Sequence, residues 1–150
     1  MDLEKLLKLL NENRVKYLII GAAAFPVYGY ARATLDIDFF IEPTFENAKR
    51  CYKALNEFGY DLSDISVEDL LNYKILIRQY ALEIDIHPFV KGVKFEEVWA
   101  NRVKAKIGES EAYFASLEDL IKMKKAAGRP KDLEDLKVLE RLKNSKKGNK

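Results

Sequence analysis

YLIIGAAAFPVYGYARATLDIDFFIE, from Tyr17 to Glu42, reads as a buried strand ending in glycine, a short helix, and a second strand carrying two aspartates one residue apart. Val15–Ile20 is an apolar run long enough for a strand and too short for a helix, and Ala22–Tyr30 is a short helix with Pro26 tolerated only in its first turn. On the strand Leu35–Ile41, side chains two apart share a face. Asp36 and Asp38 therefore stand together, while Leu35, Ile37, Phe39 and Ile41 turn into a core. Neighbouring carboxylates repel one another unless a cation lies between them. The N–H groups that open a helix after Gly21 favour phosphate. The pattern suits a divalent cation beside the phosphates of a nucleotide.

Outward from this stretch the chain alternates between helix and strand patterns. Asp2 can cap a first helix with Leu3, Leu6, Leu7 and Leu10 as its apolar stripe, and Thr44 opens another that Gly59 closes. Asp61–Asp69 is loop-like, with Ser66 and Asp69 spaced to cap a further short helix. Tyr73–Tyr80 and Leu82–His87 are strand candidates, Phe95–Arg102 is a helix, and Lys104–Phe114 is a hairpin turning near Gly108-Glu-Ser110. Ser116-Leu-Glu-Asp119 resembles a capping box and opens a helix that stops at Gly128, and a last helix runs from Lys131 to about Lys143. This order gives one α+β domain over residues 1–143 with a helical C-terminal end, followed by a basic, frayed tail over 144–150.

Composition narrows the class. At 48% hydrophobic and 33% charged residues the chain is suited to a packed core, and its net charge of +2 is too small to imply nucleic-acid binding by itself. The amphipathic start and the lack of a long apolar run point to a cytoplasmic protein with no membrane partner. Cys51, the one cysteine, excludes an internal disulfide and reads as a small core residue.

Four constellations carry chemistry. Gly21 and Ala22 offer backbone donors to phosphate, and Arg32 and Thr34 share the face of Asp36 and Asp38 if their strand extends back that far. Asp85 is a third carboxylate, facing away from Leu82, Ile84 and Ile86, with Glu83 its rival and His87, the single histidine, on the same side. Among Lys122, Lys124 and Lys125, Lys124 lies beside the buried stripe of Leu120, Met123 and Ala127. Arg129-Pro-Lys131-Asp132-Leu-Glu-Asp135 places two cations at a turn and two acids on one face of the helix that follows.

The Gly21 turn followed by Asp36-Ile-Asp38 resembles the opening of the DNA polymerase β-like nucleotidyltransferase superfamily. Ala22 departs from the usual Ser or Gly, losing a hydroxyl but keeping its N–H. A lysine on one helix followed by Arg129-x-Lys131-Asp132-x-x-Asp135 is similar to the C-terminal signature of abortive-infection-type and related small bacterial and archaeal nucleotidyltransferases. The combined likeness spans Tyr17 to about Leu139. It implies a nucleotidyltransferase fold: a small mixed, twisted sheet flanked by helices, with a short helical C-terminal extension. It implies transfer of a nucleoside monophosphate from an NTP to an acceptor hydroxyl, with Asp36, Asp38 and Asp85 holding two Mg²⁺ (or Mn²⁺) ions. Gly21, Ala22, Arg32, Thr34, Lys124, Arg129 and Lys131 would bind the nucleotide, supported by Asp132 and Asp135. The acceptor stays open among RNA such as tRNA, a protein hydroxyl and a small molecule. Two alternatives stand beside this reading: a non-catalytic nucleotide-binding or toxin–antitoxin regulatory protein on the same fold, and an RNA-binding accessory domain using the basic tail.

Overall fold

A computed structural model of the protein describes residues 2–34, 36–79 and 82–148. Its elements in chain order are α1 (Asp2–Glu12), β1 (Tyr17–Ile20), a 3₁₀ segment (Gly21–Tyr28), β2 (Ile37–Ile41), α2 (Phe45–Phe58), α3 (Val67–Asn72), β3 (Ile75–Ile77), β4 (Ile84–His87), α4 (Phe95–Ala100), β5 (Val103–Ile107), β6 (Ser110–Phe114), α5 (Leu117–Ala127) and α6 (Asp132–Gly148). The strands form one twisted mixed sheet in the order β3-β4-β2-β1-β6-β5, flanked by helices.

β1 lies inside the sheet, antiparallel to β2 and parallel to β6. All four of its residues are buried, as expected of a continuous apolar run covered on both faces. On one side Tyr17, Phe39, Ile41 and Ile86 meet Leu6 and Leu10 of α1 and Cys51 and Leu55 of α2. Cys51 is fully buried there, and desolvation pushes its thiol up to about 12, so it serves as core. On the other side Phe40 meets Phe95 edge to face at 5.2 Å. The alternation in β2 thus separates an apolar face from the face that carries Asp38.

Local signals position the helices. Thr44 accepts from the Asn47 N–H at 3.2 Å to start α2, and Ser66 and Asp69 complete a reciprocal capping box on α3. At α5 half of the expected box forms: Ser116 accepts from the Asp119 N–H. The Asp119 carboxylate accepts instead from the Ser116 hydroxyl and the Asn101 amide. The hairpin β5–β6 turns over Gly108 and Glu109, with Ile107 opposite Ser110.

Besides shifts of one or two residues at the ends of β1, β4, α4 and β5, several boundaries differ from the sequence reading. The turn after β1 is 3₁₀ rather than α, and Pro26 lies well inside it, not in the first turn. The Pro26 nitrogen carries no hydrogen to donate, and the tighter winding accommodates it. β2 begins at Ile37, so Arg32 and Thr34 stand on irregular chain instead of a strand, and Leu35 falls outside the described residues. β3 covers only Ile75–Ile77 of the expected Tyr73–Tyr80. Beyond it the Arg78 guanidinium turns to carboxylates and the Gln79 side-chain amide bonds both the N–H and the carbonyl of Asp61; Tyr80 and Ala81 are not described. Finally, α6 continues past Lys143 to Gly148, with no proline or glycine to stop it sooner.

Asn47, buried on α2, accepts from the Lys16 N–H at 2.8 Å and donates to the carbonyls of Lys16 and Glu42. It thereby clamps the chain entering β1 to the chain leaving β2. Asn47→Ala would strand these backbone groups and should lower stability by roughly 1–3 kcal/mol, measurable by urea unfolding.

Candidate active site

Parallel pairing of β2 with β4 sets Asp38 directly opposite Asp85. Partners in register share a face of the sheet, so both carboxylates point to the same side, and His87, two residues on, joins them. The His87 Nε2 lies 2.8 Å from Asp38 Oδ1, and one donor atom from each of Asp38, Asp85 and His87 lies within 4.8 Å of the others. Asp85 is buried, whereas Glu83 is only half-buried and precedes the strand.

Gly21 has a specific job here. Its φ is +67°, and a Cβ built on it would stand 2.8 Å from Asp38 Oδ2, closer than side-chain atoms tolerate. Glycine adopts this positive φ without strain and leaves the Asp38 carboxylate its place beside the turn. No side chain caps the N-terminus of the 3₁₀ segment, and both Gly21 and Ala22 line the cleft.

Asp36 is held differently. It precedes β2, and its Oδ2 accepts from Arg78 Nη2 at 3.0 Å. The other arm of the Arg78 guanidinium bonds Asp85 Oδ1 at 2.7 Å, and its Nε lies 3.9 Å from Glu83. Arg78 thus spans two of the three expected carboxylates, and these acids hold its charged form more strongly than usual. Sequence reasoning did not single it out. The available signal was a basic residue closing the apolar run ILI beside an acidic strand, and antiparallel pairing of Leu76 with Asp85 turns that run toward the site.

The facing wall is basic. Lys124 is drawn inward, its side chain 15% exposed against 58% for Lys122 and 60% for Lys125. Its Nζ lies 3.0 Å from Asp132 Oδ1, 3.3 Å from Asp135 Oδ2 and over the Phe25 ring. Arg129 forks onto Asp132 through Nε at 2.7 Å and Nη2 at 3.1 Å, and its backbone N–H bonds the same carboxylate. Asp135 sits behind, taking Arg32 at 3.1 Å and the Tyr30 hydroxyl at 3.0 Å. Both acids are only 2% exposed. The bonds from Arg129, reinforced by Lys124, hold the Asp132 carboxyl well below the usual carboxylate range. Arg129 is in turn held charged by Asp132 and feels Asp38 across the cleft.

The acidic and basic walls line one open cleft of about 520 Å³. Gly21, Ala22, Arg32, Thr34, Asp36, Asp38, Asp85, Lys124, Arg129, Lys131 and Asp132 all border it, as do His87 and Lys74; Asp135 supports it from behind. Thr34 spends its hydroxyl on the Asp36 carbonyl at 2.7 Å. Lys131 is exposed and has no salt bridge among the described residues. The arrangement pairs a carboxylate cluster able to hold a metal with a basic wall able to hold an anion.

Residues 1–149 match the family model described as nucleotidyl transferase of unknown function (DUF2204), and the chain belongs to that family. Its fold is shared with a protein from Thermotoga maritima solved by crystallography as a candidate nucleotidyltransferase, with a TM-score of 0.59 and 15% identity over 95% of this chain and 91% of that one. Comparison with curated proteins finds no match. Among the described residues no helix is long and apolar enough to cross a membrane.

The depressed Asp132 carboxyl has a consequence for stability. A carboxyl held low in the folded state stabilises the fold above its ordinary value of about 4, and that contribution drains away as pH falls below it. Wild type should therefore be more stable than Asp132→Asn at pH 7. The gap should shrink steadily in urea melts taken from about pH 4 downward.

Proposed function

We propose that the protein is a metal-dependent nucleotidyltransferase that moves a nucleoside monophosphate from an NTP to an acceptor hydroxyl and releases pyrophosphate. The observation that supports this best is the division of one cleft into an acidic wall, Asp36, Asp38 and Asp85, and a basic wall, Lys124, Arg129 and Lys131.

The donor set fits a hard divalent cation. Oxygen ligands bind Mg²⁺ at about 2.1 Å, and donor atoms of Asp38, Asp85 and His87 already lie within 4.8 Å of one another. Asp38 and Asp85 would hold Mg²⁺ or Mn²⁺, with His87 beside them and Asp36 available once Arg78 releases it. When bound, such ions polarise the reacting phosphoryl group and offset charge on the leaving pyrophosphate.

The chain supplies the rest. Lys124, Arg129 and Lys131 face the triphosphate, with Arg32 beside them, and the backbone at Gly21 and Ala22 offers donors to its oxygens. The acceptor oxygen forms a bond to the α-phosphorus as the bond to the pyrophosphate oxygen breaks. The acceptor proton passes to Asp85, the carboxylate of β4. Asp132 and Asp135 keep Lys124, Arg129 and Arg32 in place.

Asp36→Asn combined with Asp38→Asn should abolish Mn²⁺-dependent NTP binding in calorimetry while leaving the fold intact; equal binding by wild type and double variant would refute the metal site. Arg129→Gln should weaken NTP binding by about 1.5–3 kcal/mol, the worth of a charge-assisted hydrogen bond, with much less effect on the bare nucleoside. The acceptor is to be found by incubating the protein with each radiolabelled NTP, Mg²⁺ and either total RNA or cell lysate, and identifying what becomes labelled.

A further inference from the structure

Arg78 occupies an unusual position, since a cation already bridges the acids that the proposed function assigns to metal. Nη1 bonds Asp85 Oδ1 at 2.7 Å and also the Ile84 carbonyl at 3.3 Å, while Nη2 bonds Asp36 Oδ2 at 3.0 Å. Asp85 is nearly buried, and a buried carboxylate without a partner is costly, so in the absence of metal this guanidinium is its counter-charge. Asp36, held by the same guanidinium, is the one expected carboxylate outside the group whose donor atoms lie within 4.8 Å of one another.

The bridge is also built to open. The Arg78 side chain is 40% exposed and extends from the residue that follows β3, an edge strand, so it can leave for solvent without disturbing the core. Lys124, by contrast, is 15% exposed and locked between Asp132 and Asp135.

We propose that Arg78 is a built-in competitor of the divalent cation: it neutralises Asp36 and Asp85 in the metal-free protein and is released from them as metal loads. Arg78 is then a positioning residue that holds the carboxylates close before metal arrives and sets the affinity with which metal binds. The idea rests on the metal-site reading given above. Release of the guanidinium also frees Asp36 to turn toward Asp38 and Asp85. Competition for shared ligands couples the two equilibria, so weakening the arginine bridge should strengthen metal binding.

The test is Mn²⁺ binding without nucleotide, by calorimetry, to wild type, Arg78→Gln and Arg78→Lys, together with urea unfolding with and without Mn²⁺. Arg78→Gln should bind Mn²⁺ about 5-fold or more tightly than wild type, the lower range of a typical coupling. It should be less stable than wild type without metal and regain the difference at saturating Mn²⁺. Arg78→Lys, which keeps the charge, should bind close to wild type. If wild type binds Mn²⁺ and Arg78→Gln binds equally or more weakly, the competition is refuted while the metal site stands; if neither binds, both readings fall. Should Arg78→Gln not fold, NMR of wild type decides: the Arg78 Nη–H signals, whose bonds to Asp85 and Asp36 make the bridge, should shift and lose exchange protection on Mg²⁺ addition, and unchanged signals would overturn the proposal.

Discussion

Parallel pairing of β2 with β4 puts Asp38 beside Asp85, and much of the site is a response to that one juxtaposition. Two carboxylates in register on one face repel, and the buried position of Asp85 sharpens the cost. The structure answers with Arg78 on Asp85 and Asp36, His87 on Asp38, and a glycine at position 21 whose missing Cβ leaves room for Asp38. Each of these comes from a different stretch of chain. The pairing is itself secured from behind by Phe39, Ile41 and Ile86, which are buried against α1 and α2.

The basic wall solves the opposite problem, keeping cations near the acids without letting them collapse onto them. Arg129 is held by two nitrogens and its own backbone N–H on Asp132, and Lys124 is shared between Asp132 and Asp135. Burying these two acids carries a desolvation penalty that the cations offset, and the outcome is direction as much as stability. Aromatic contacts extend the same arrangement: Phe25 stacks on Tyr30, whose hydroxyl donates to Asp135, and Lys124 lies over Phe25. The 3₁₀ segment, α5 and α6 are thereby tied into one wall.

Much of this was legible in the chain itself, because it depends on neighbours in sequence. Period-two alternation in Leu35–Ile41 separates Asp38 from Phe39, Thr44 and Ser66 cap where the motifs say, and the turn through Gly108 closes a hairpin. Within the Arg129-to-Asp135 string, Arg129 and Asp132 stand three residues apart, so their ion pair follows from spacing. The inward turn of Lys124 follows from the apolar stripe beside it. Where the reading missed, a local signal was weaker than a distant contact. Arg32 and Thr34 are not on a strand, because Asp135 and the Asp36 carbonyl take their side chains. Strand β3 stops early, and beyond it the Arg78 guanidinium turns to Asp85 and Asp36 and the Gln79 amide pairs with the Asp61 backbone.

Sequence by itself thus determined an α+β chain, its strand faces, the glycine-led turn, three carboxylates and the cationic C-terminal motif, since periodicity, capping and short spacings act over a few residues. Tertiary structure alone decided which of these meet. Sheet order places Asp85 beside Asp38, and the packing of α5 and α6 sets Lys124 and Arg129 across the cleft from them. It also decided that Arg78, 42 residues from Asp36, bridges the acids. Such contacts depend on the mutual placement of distant elements, and no pattern within a short window of sequence encodes a distance between them.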